Sequence, residues 1–199
     1  MSEKTNTTTR VLIGECRLSY VHLFKPEVIS EGNPAKYSVS IIIPKTNTEL
    51  VEKIKAAIVA AYQAGIGTFG GKLPAKGTWK NPLRDGDTER ADDPAYAGAY
   101  FINASSKTKP GLVKKGTVSK FTEITDENEL YSGCYGYVSV NFYAFSQSGN
   151  KGIGAGLNNV LKTKDGDFLG GRVSAETDFD GLDVSGFGND AGISDDDVF

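Results

Sequence analysis

The sequence is poor in the residues that serve covalent and metal chemistry: its 199 residues include one histidine, His22, and two cysteines, Cys16 and Cys134. No zinc site of ordinary spacing can be assembled from so few ligands, and no nucleophile elbow, helical zinc-binding pair or kinase signature is present. The Asp195–Asp197 run lacks the spacing and the glycine of a calcium loop. Gly65 to Gly70 carries the letters of a dinucleotide fingerprint, but it follows a helix pattern where that loop must leave a strand and open a helix. No metal and no cofactor are expected. The enzyme reading that survives is a magnesium-dependent nuclease or a nuclease-associated subunit, whose carboxylates can lie far apart in the chain. No apolar run approaches the roughly 18 residues of a membrane span, and Met1 to Thr9 is polar. The expectation is a protein of the cytoplasm with reduced thiols and no membrane partner.

Basic residues are also missing from one region. After Arg172 there is no Lys or Arg, while Glu176, Asp178, Asp180, Asp183, Asp190, Asp195, Asp196 and Asp197 supply eight negative charges. The whole chain has 22 basic and 25 acidic residues, so residues 1–172 keep 22 basic against 17 acidic, a net of +5. A basic body thus carries an acidic tail, a common interaction element. The implied division is a disordered segment over 1–9, one folded domain over 10–172, and a disordered tail over 173–199, too polar to offset its ordering entropy.

The folded part reads as mainly β. From Tyr135 onward Gly136, Val138, Val140, Phe142 and Ala144 share one parity, and Tyr135, Tyr137, Ser139, Asn141, Tyr143 and Phe145 share the other. A strand alternates its faces with period two, so the first set faces the core. Ser148-Gly149-Asn150 is a turn, with Ile153 to Leu161 as the return strand. The second face mixes rings with polar groups, and either a loop covers the rings or they form a platform for unpaired bases.

Further strands are read over Arg10 to Phe24, Lys36 to Ile43, Ala99 to Ala104 and Val118 to Ile124. In the first, Leu12, Cys16 and Leu18 oppose Glu15, Arg17 and Ser19, and Gly14 marks a bulge or bend. Thr46-Asn47-Thr48-Glu49 has the form of a capping box with Thr46 as N-cap. Leu50, Val51, Ile54, Ile58, Ala61 and Tyr62 then recur at helical spacing up to Gly65, which predicts the one α-helix.

Two basic clusters lie in loops. Lys72, Lys76, Lys80, Arg84 and Arg90 flank Trp79, the only tryptophan, in a long loop. Either this loop is an arm that closes over an anionic strand with Trp79 stacking, or Trp79 pins it to the core. Lys107, Lys109, Lys114, Lys115 and Lys120 surround the Pro110-Gly111 turn, and Lys151 starts the return strand.

Pro82-Leu83-Arg84-Asp85-Gly86-Asp87, Tyr131-Ser132-Gly133-Cys134-Tyr135-Gly136, Asn141-Phe142-Tyr143-Ala144, Gly149-Asn150-Lys151-Gly152 and Gly156-Leu157-Asn158-Asn159 together resemble a family of phage and prophage single-stranded DNA-binding proteins. The resemblance spans about residues 10 to 175. It implies an OB-like, five-stranded antiparallel barrel with long loop insertions. The Asp-rich end with its final Phe is similar to the tails of podophage and bacterial strand-binding proteins, although Val198 stands where the bacterial tails usually have Pro. The implied function is sequence-independent binding and protection of single-stranded DNA in phage replication, recombination or repair, without enzymatic activity.

The candidate stacking residues are Tyr135, Tyr137, Tyr143, Phe145 and Trp79, and the candidate phosphate contacts are Lys72, Lys76, Lys80, Arg84, Lys107, Lys109, Lys114, Lys115 and Lys151. Asp195, Asp196, Asp197 and Phe199 are the candidate tail contacts for a polymerase, helicase or recombinase. The same reading admits a homodimer.

Overall fold

In the computed structural model, residues 8–28, 32, 34–169 and 181–182 are described; the tail and its candidate contacts lie outside them. The strands are β1 (Arg10–Glu27), β2 (Lys36–Pro44), β3 (Arg84–Asp85), β4 (Ala99–Ser106), β5 (Gly111–Lys115), β6 (Phe121–Glu123), β7 (Tyr135–Gln147) and β8 (Asn150–Lys164). Helix α1 spans Thr48–Ala64 and a single turn, α2, spans Gly86–Glu89.

Five strands close into a barrel. β2 pairs antiparallel with β1 and β4, β1 with β7, and β7 with β8. The seam is shut by a parallel pair, Ala104 and Ser105 of β4 on Ala155 and Gly156 of β8. Closure leaves the barrel strands without a free edge at the seam, which is the value of such a fold to a sheet that must expose one face to water. β5 continues along β8 beyond β4, again parallel, from Gly111 on Asn159 to Lys114 on Lys162.

The inside of the barrel follows from alternation. Val39, Ile41 and Ile43 of β2, Ile102 and Ala104 of β4, and Val138, Val140 and Phe142 of β7 are all buried in one cluster. Removing the fully buried Phe142 ring would cost about 3–5 kcal/mol. Helix α1 lays Leu50, Val51, Ile54, Ala57, Ile58 and Ala61 onto this cluster. Its N-cap is Asn47, whose side chain accepts from Leu50 N at 3.3 Å, in place of Thr46. Glu49 closes no capping box and pairs with Lys53 at 2.6 Å one turn on.

β1 departs from simple alternation twice. Its register against β7 passes from Ile13–Val138 to Cys16–Gly136, an extra residue at Gly14–Glu15. Ile13 is therefore buried, and Leu12, which shares Cys16's parity, is 63% exposed. Against β2 the register passes from Ser19–Ser40 to His22–Ser38, a second bulge, with Tyr20 at φ 47.

Candidate functional site

Inward Val39, Ile41 and Ile43 force Ser38, Ser40 and Ile42 to the outside of β2, and inward Ile102 and Ala104 do the same for Phe101 and Asn103 of β4. The apolar half of this outer face is covered: Tyr96 and Ala99 seal Ile42 and Phe101 in a second small core. Tyr96 meets Phe101 edge-on at 5.1 Å, and its hydroxyl hydrogen-bonds Ser40 Oγ at 3.0 Å. The polar half stays open. There Ser38, Ser40 and Asn103 form the floor of a groove of about 340 Å³, walled by Tyr20, His22 and Glu27 of β1 and by Arg90.

The second β1 bulge aims Tyr20 outward, where it is 48% exposed. Arg90 lies over it, with the guanidinium carbon 5.1 Å from the ring centroid and Nη1 donating to the Tyr20 hydroxyl at 3.1 Å. Nearby, His22 Nδ1 is 3.0 Å from Glu27 Oε1. The groove therefore brings together an aromatic face, a guanidinium, an imidazole paired with a carboxylate, an amide and the Ser38 hydroxyl, with the Ser40 hydroxyl already engaged by Tyr96. These groups can stack on a planar base and hydrogen-bond its edges.

Arg90 is held by a clamp built from the Pro82–Asp87 motif. Lys45 Nζ reaches Asp85 Oδ1 and Asp87 Oδ2 at 2.7 Å each. Asp87 also accepts from Gly98 N at 2.7 Å, tying the two ends of the insertion together. The Lys45 hydrogen bond, with help from that backbone donor, holds the Asp87 carboxyl below the usual carboxylate range, and the two aspartates raise Lys45. A Cβ on Gly86 would stand 2.3 Å from Tyr96 O, so only glycine allows the turn to press against that backbone. Arg90 N then donates to Gly86 O at 2.9 Å.

The residues singled out in the sequence do not gather in one cleft. Tyr143, 45% exposed, lies across β8, where a Cβ on Gly154 would meet its ring at 2.7 Å. Tyr137 lies over Gly14, where a Cβ would meet its ring at 2.9 Å, and Phe145 is half-buried opposite Gly152. Tyr135 sits between Lys164, 4.7 Å from its centroid, and Arg17, at 5.8 Å. Trp79 packs on the core and on Tyr62 at 5.2 Å, an anchor for its loop. Of the two readings for this ring, the geometry is that of the pin.

The lysines are equally dispersed. Lys72, Lys76 and Lys80 are exposed, and the Lys80 backbone is bonded to β8 through Lys151 O and Ile153 N. Lys151 itself donates toward Phe69 O at 3.5 Å. Arg84 is engaged by Glu89 at 2.5 Å and lies 4.7 Å from the Phe101 centroid. Lys107 and Lys109 are exposed between β4 and β5, while Lys114 and Lys115 line a separate groove on β5 and β8.

Sequence reasoning missed Tyr20, His22, Ser38, Ser40 and Asn103, and placed Arg90 in the basic loop around Trp79 without naming it among the phosphate contacts. The serines and Asn103 alternate regularly with core residues, a signal that marks an outward face. Tyr20 had none, because two bulges scramble the parity of β1.

Among the described residues, no helix is long and apolar enough to cross a membrane, and no group of three or more His, Cys, Asp or Glu could hold a metal ion.

The model of a family described as Enterobacter phage Enc34, ssDNA-binding protein, matches residues 9–190. A curated relative, protein p50 of Acyrthosiphon pisum secondary endosymbiont phage 1, is 34% identical over 181 residues, covering 88% of this chain and 95% of its own length. The solved single-stranded DNA-binding protein from bacteriophage Enc34 in complex with ssDNA is 26% identical with a TM-score of 0.70, over 81% of this chain and 90% of that one. A single-stranded DNA-binding protein encoded by bacteriophage T7 shares the fold at 14% identity and a TM-score of 0.55, over 89% and 97% of the two chains.

Proposed function

The chain belongs to the family of the Enterobacter phage Enc34 ssDNA-binding protein, and we propose that it binds single-stranded DNA without regard to sequence. It coats and protects that DNA in phage replication, recombination or repair, in the cytoplasm of the host. The observation that carries this reading is the open groove on the outer face of β1, β2 and β4, with Tyr20 beneath Arg90 and Ser38, Ser40 and Asn103 as its floor. This is the face on which five-stranded OB barrels take oligonucleotides.

Bases stack on the Tyr20 ring, which has no means of choosing among them, because every base has a π-face. Arg90, together with exposed lysines outside the groove such as Lys107 and Lys109, meets the phosphates, which makes the affinity fall with salt. Asp195, Asp196, Asp197 and Phe199 present a ring and clustered negative charge to a polymerase, helicase or recombinase.

Titrating a labelled oligo-dT by fluorescence anisotropy at low and high salt tests the binding. Affinity should be strong at low salt and fall steeply with added salt. An absence of binding, or indifference to salt, refutes it. Deleting residues 173–199 should leave DNA affinity equal or higher, since a competing polyanion is removed, while abolishing capture of the partner. A loss of DNA affinity on deletion would move the binding function to the tail.

A further inference from the structure

Beyond β4, the β5–β6 hairpin and the end of β8 enclose a second groove, of about 810 Å³, that the stacking face does not use. Five lysines line it, Lys114, Lys115, Lys120, Lys162 and Lys164, against two carboxylates, a surplus of three positive charges. The carboxylates neutralise particular members: Glu129 pairs with Lys114, and Asp165 with Lys162 at 2.6 Å. Lys164 has only a looser contact, 3.4 Å, with Glu15. Lys115 and Lys120 meet no carboxylate among the described residues. Phe121, 46% exposed, adds a ring, with Lys120 Nζ 5.4 Å from its centroid.

The topology places this groove in line with the first. β4 and β5 are successive parallel partners of the same strand, Ala104 opposite Ala155 and Lys114 opposite Lys162. Seven residues of β8 separate those positions, roughly 23 Å at strand rise. The turn between β4 and β5 carries exposed Lys107 and Lys109. One track therefore runs from Asn103 on the stacking face, past two lysines, into the second groove. Its length corresponds to about seven nucleotides at the 3.4 Å stacked spacing, inside the range of roughly 4 to 16 that one OB fold covers.

We propose that this groove is a second nucleic-acid contact, taking the phosphates of the same strand after its bases leave the Tyr20 face. The proposal rests on the reading of the barrel as a strand binder. The groove is cationic with one exposed ring, so it holds backbone more than bases and lengthens the footprint without adding sequence preference.

The test uses the full chain and the triple variant Lys115→Gln/Lys120→Gln/Lys164→Gln, titrated with oligo-dT of about 6 and about 20 nucleotides, lengths on either side of the track. The short oligonucleotide should bind the variant within about twofold of wild type. The long one should lose roughly 10- to 100-fold near 0.1 M salt, and its salt slope should shrink by about 2, three contacts at 0.7 each. Unchanged long-oligonucleotide binding overturns the second contact. Equal losses at both lengths overturn the division of labour and make this groove the primary site. Failure of wild type to bind either length would instead strike the strand-binding reading itself. All three lysines are exposed, so an unchanged melting temperature confirms that the variant is folded.

Discussion

Replacing Tyr20 by glycine separates binding from folding more cleanly than the usual alanine. Tyr20 is a non-glycine residue at φ 47, a left-handed conformation that costs an L-residue about 1–2 kcal/mol. Tyr20→Gly removes that strain. Against it stand glycine's greater entropy loss, about 0.5–1 kcal/mol, and the contacts of a half-exposed ring with Arg90. These terms nearly offset one another, so stability should change by no more than about 1 kcal/mol, read from urea denaturation. Binding behaves otherwise. One stacked base is worth about 1–3 kcal/mol, so the Kd for oligo-dT should rise about 5- to 150-fold. The salt slope should stay where it was, because no cation has been removed. Tyr20→Phe keeps the ring and loses only the hydroxyl that accepts from Arg90, so its Kd should rise less than about fivefold. Wild-type affinity in Tyr20→Gly, with the variant shown to be folded, would refute the assignment of the stacking face.

Three further outcomes follow from the same geometry. Arg90→Ala should weaken oligo-dT binding and also lower the salt slope by about 0.7, the value of one single-strand phosphate contact; an unchanged slope in anisotropy titrations would remove Arg90 from the phosphate path. Burial pushes both the Cys16 and Cys134 thiols up, so neither should react with a thiol reagent in the native protein at neutral pH, and both should react once urea unfolds it; rapid native labelling would contradict the packing of β1 on β7. Asp87 has a folded pKa below its ordinary value because of Lys45, so its stabilising contribution is complete at neutral pH and is lost as pH falls through the acidic carboxylate range. Thermal melts of Asp87→Asn and wild type should therefore differ at pH 7 and converge in acid, and a gap that persists at the lowest pH would mean the aspartate acts other than by its charge.

The parts of the fold that could be read in advance are those with an uninterrupted period. β7 alternates Val138, Val140 and Phe142 with ring-bearing and polar positions, and the structure buries the first set as that pattern demands. Helix α1 and its end at Gly65 were legible for the same reason at a different period. What hid the site was local irregularity. A bulge inserts one residue and exchanges faces without changing composition, so Leu12 and Ile13 trade places and Tyr20 emerges from a run with no clear parity. The loop from Lys72 to Ala97 could be read as an open basic arm as readily as a segment pinned by Trp79, because the order of its second half comes from contacts far apart in the chain, Lys45 with Asp85 and Asp87, and Tyr96 with Ser40. The clustering of basic residues in the sequence likewise says nothing of which are spent: Arg84 and Lys114 look like Lys115 and Lys120 in composition, but among the described residues only the first two hold carboxylates.

A feature shared by the stacking face and the second groove bears on how such a surface avoids choosing a sequence. Arg90 covers Tyr20, and Lys120 lies near Phe121, so each exposed ring already has a cation at its side. An exposed cation–ring contact is worth about 0.5–1 kcal/mol, less than the roughly 1–3 kcal/mol of a stacked base. On the proposed reading, exchange would therefore be favourable when a strand arrives, and the displaced cation would be released beside the phosphate that the base brings with it. Both new contacts use features common to every nucleotide, a π-face and a charged phosphate. The hydrogen-bonding groups beneath, Ser38, Ser40 and Asn103, carry rotatable hydroxyls and an amide with both donors and an acceptor. On the same reading Ser38 and Asn103 meet whichever base edge turns toward them, while the Ser40 hydroxyl is already engaged by Tyr96, so the floor would favour no single base and sequence tolerance would follow from the chemistry of the groove.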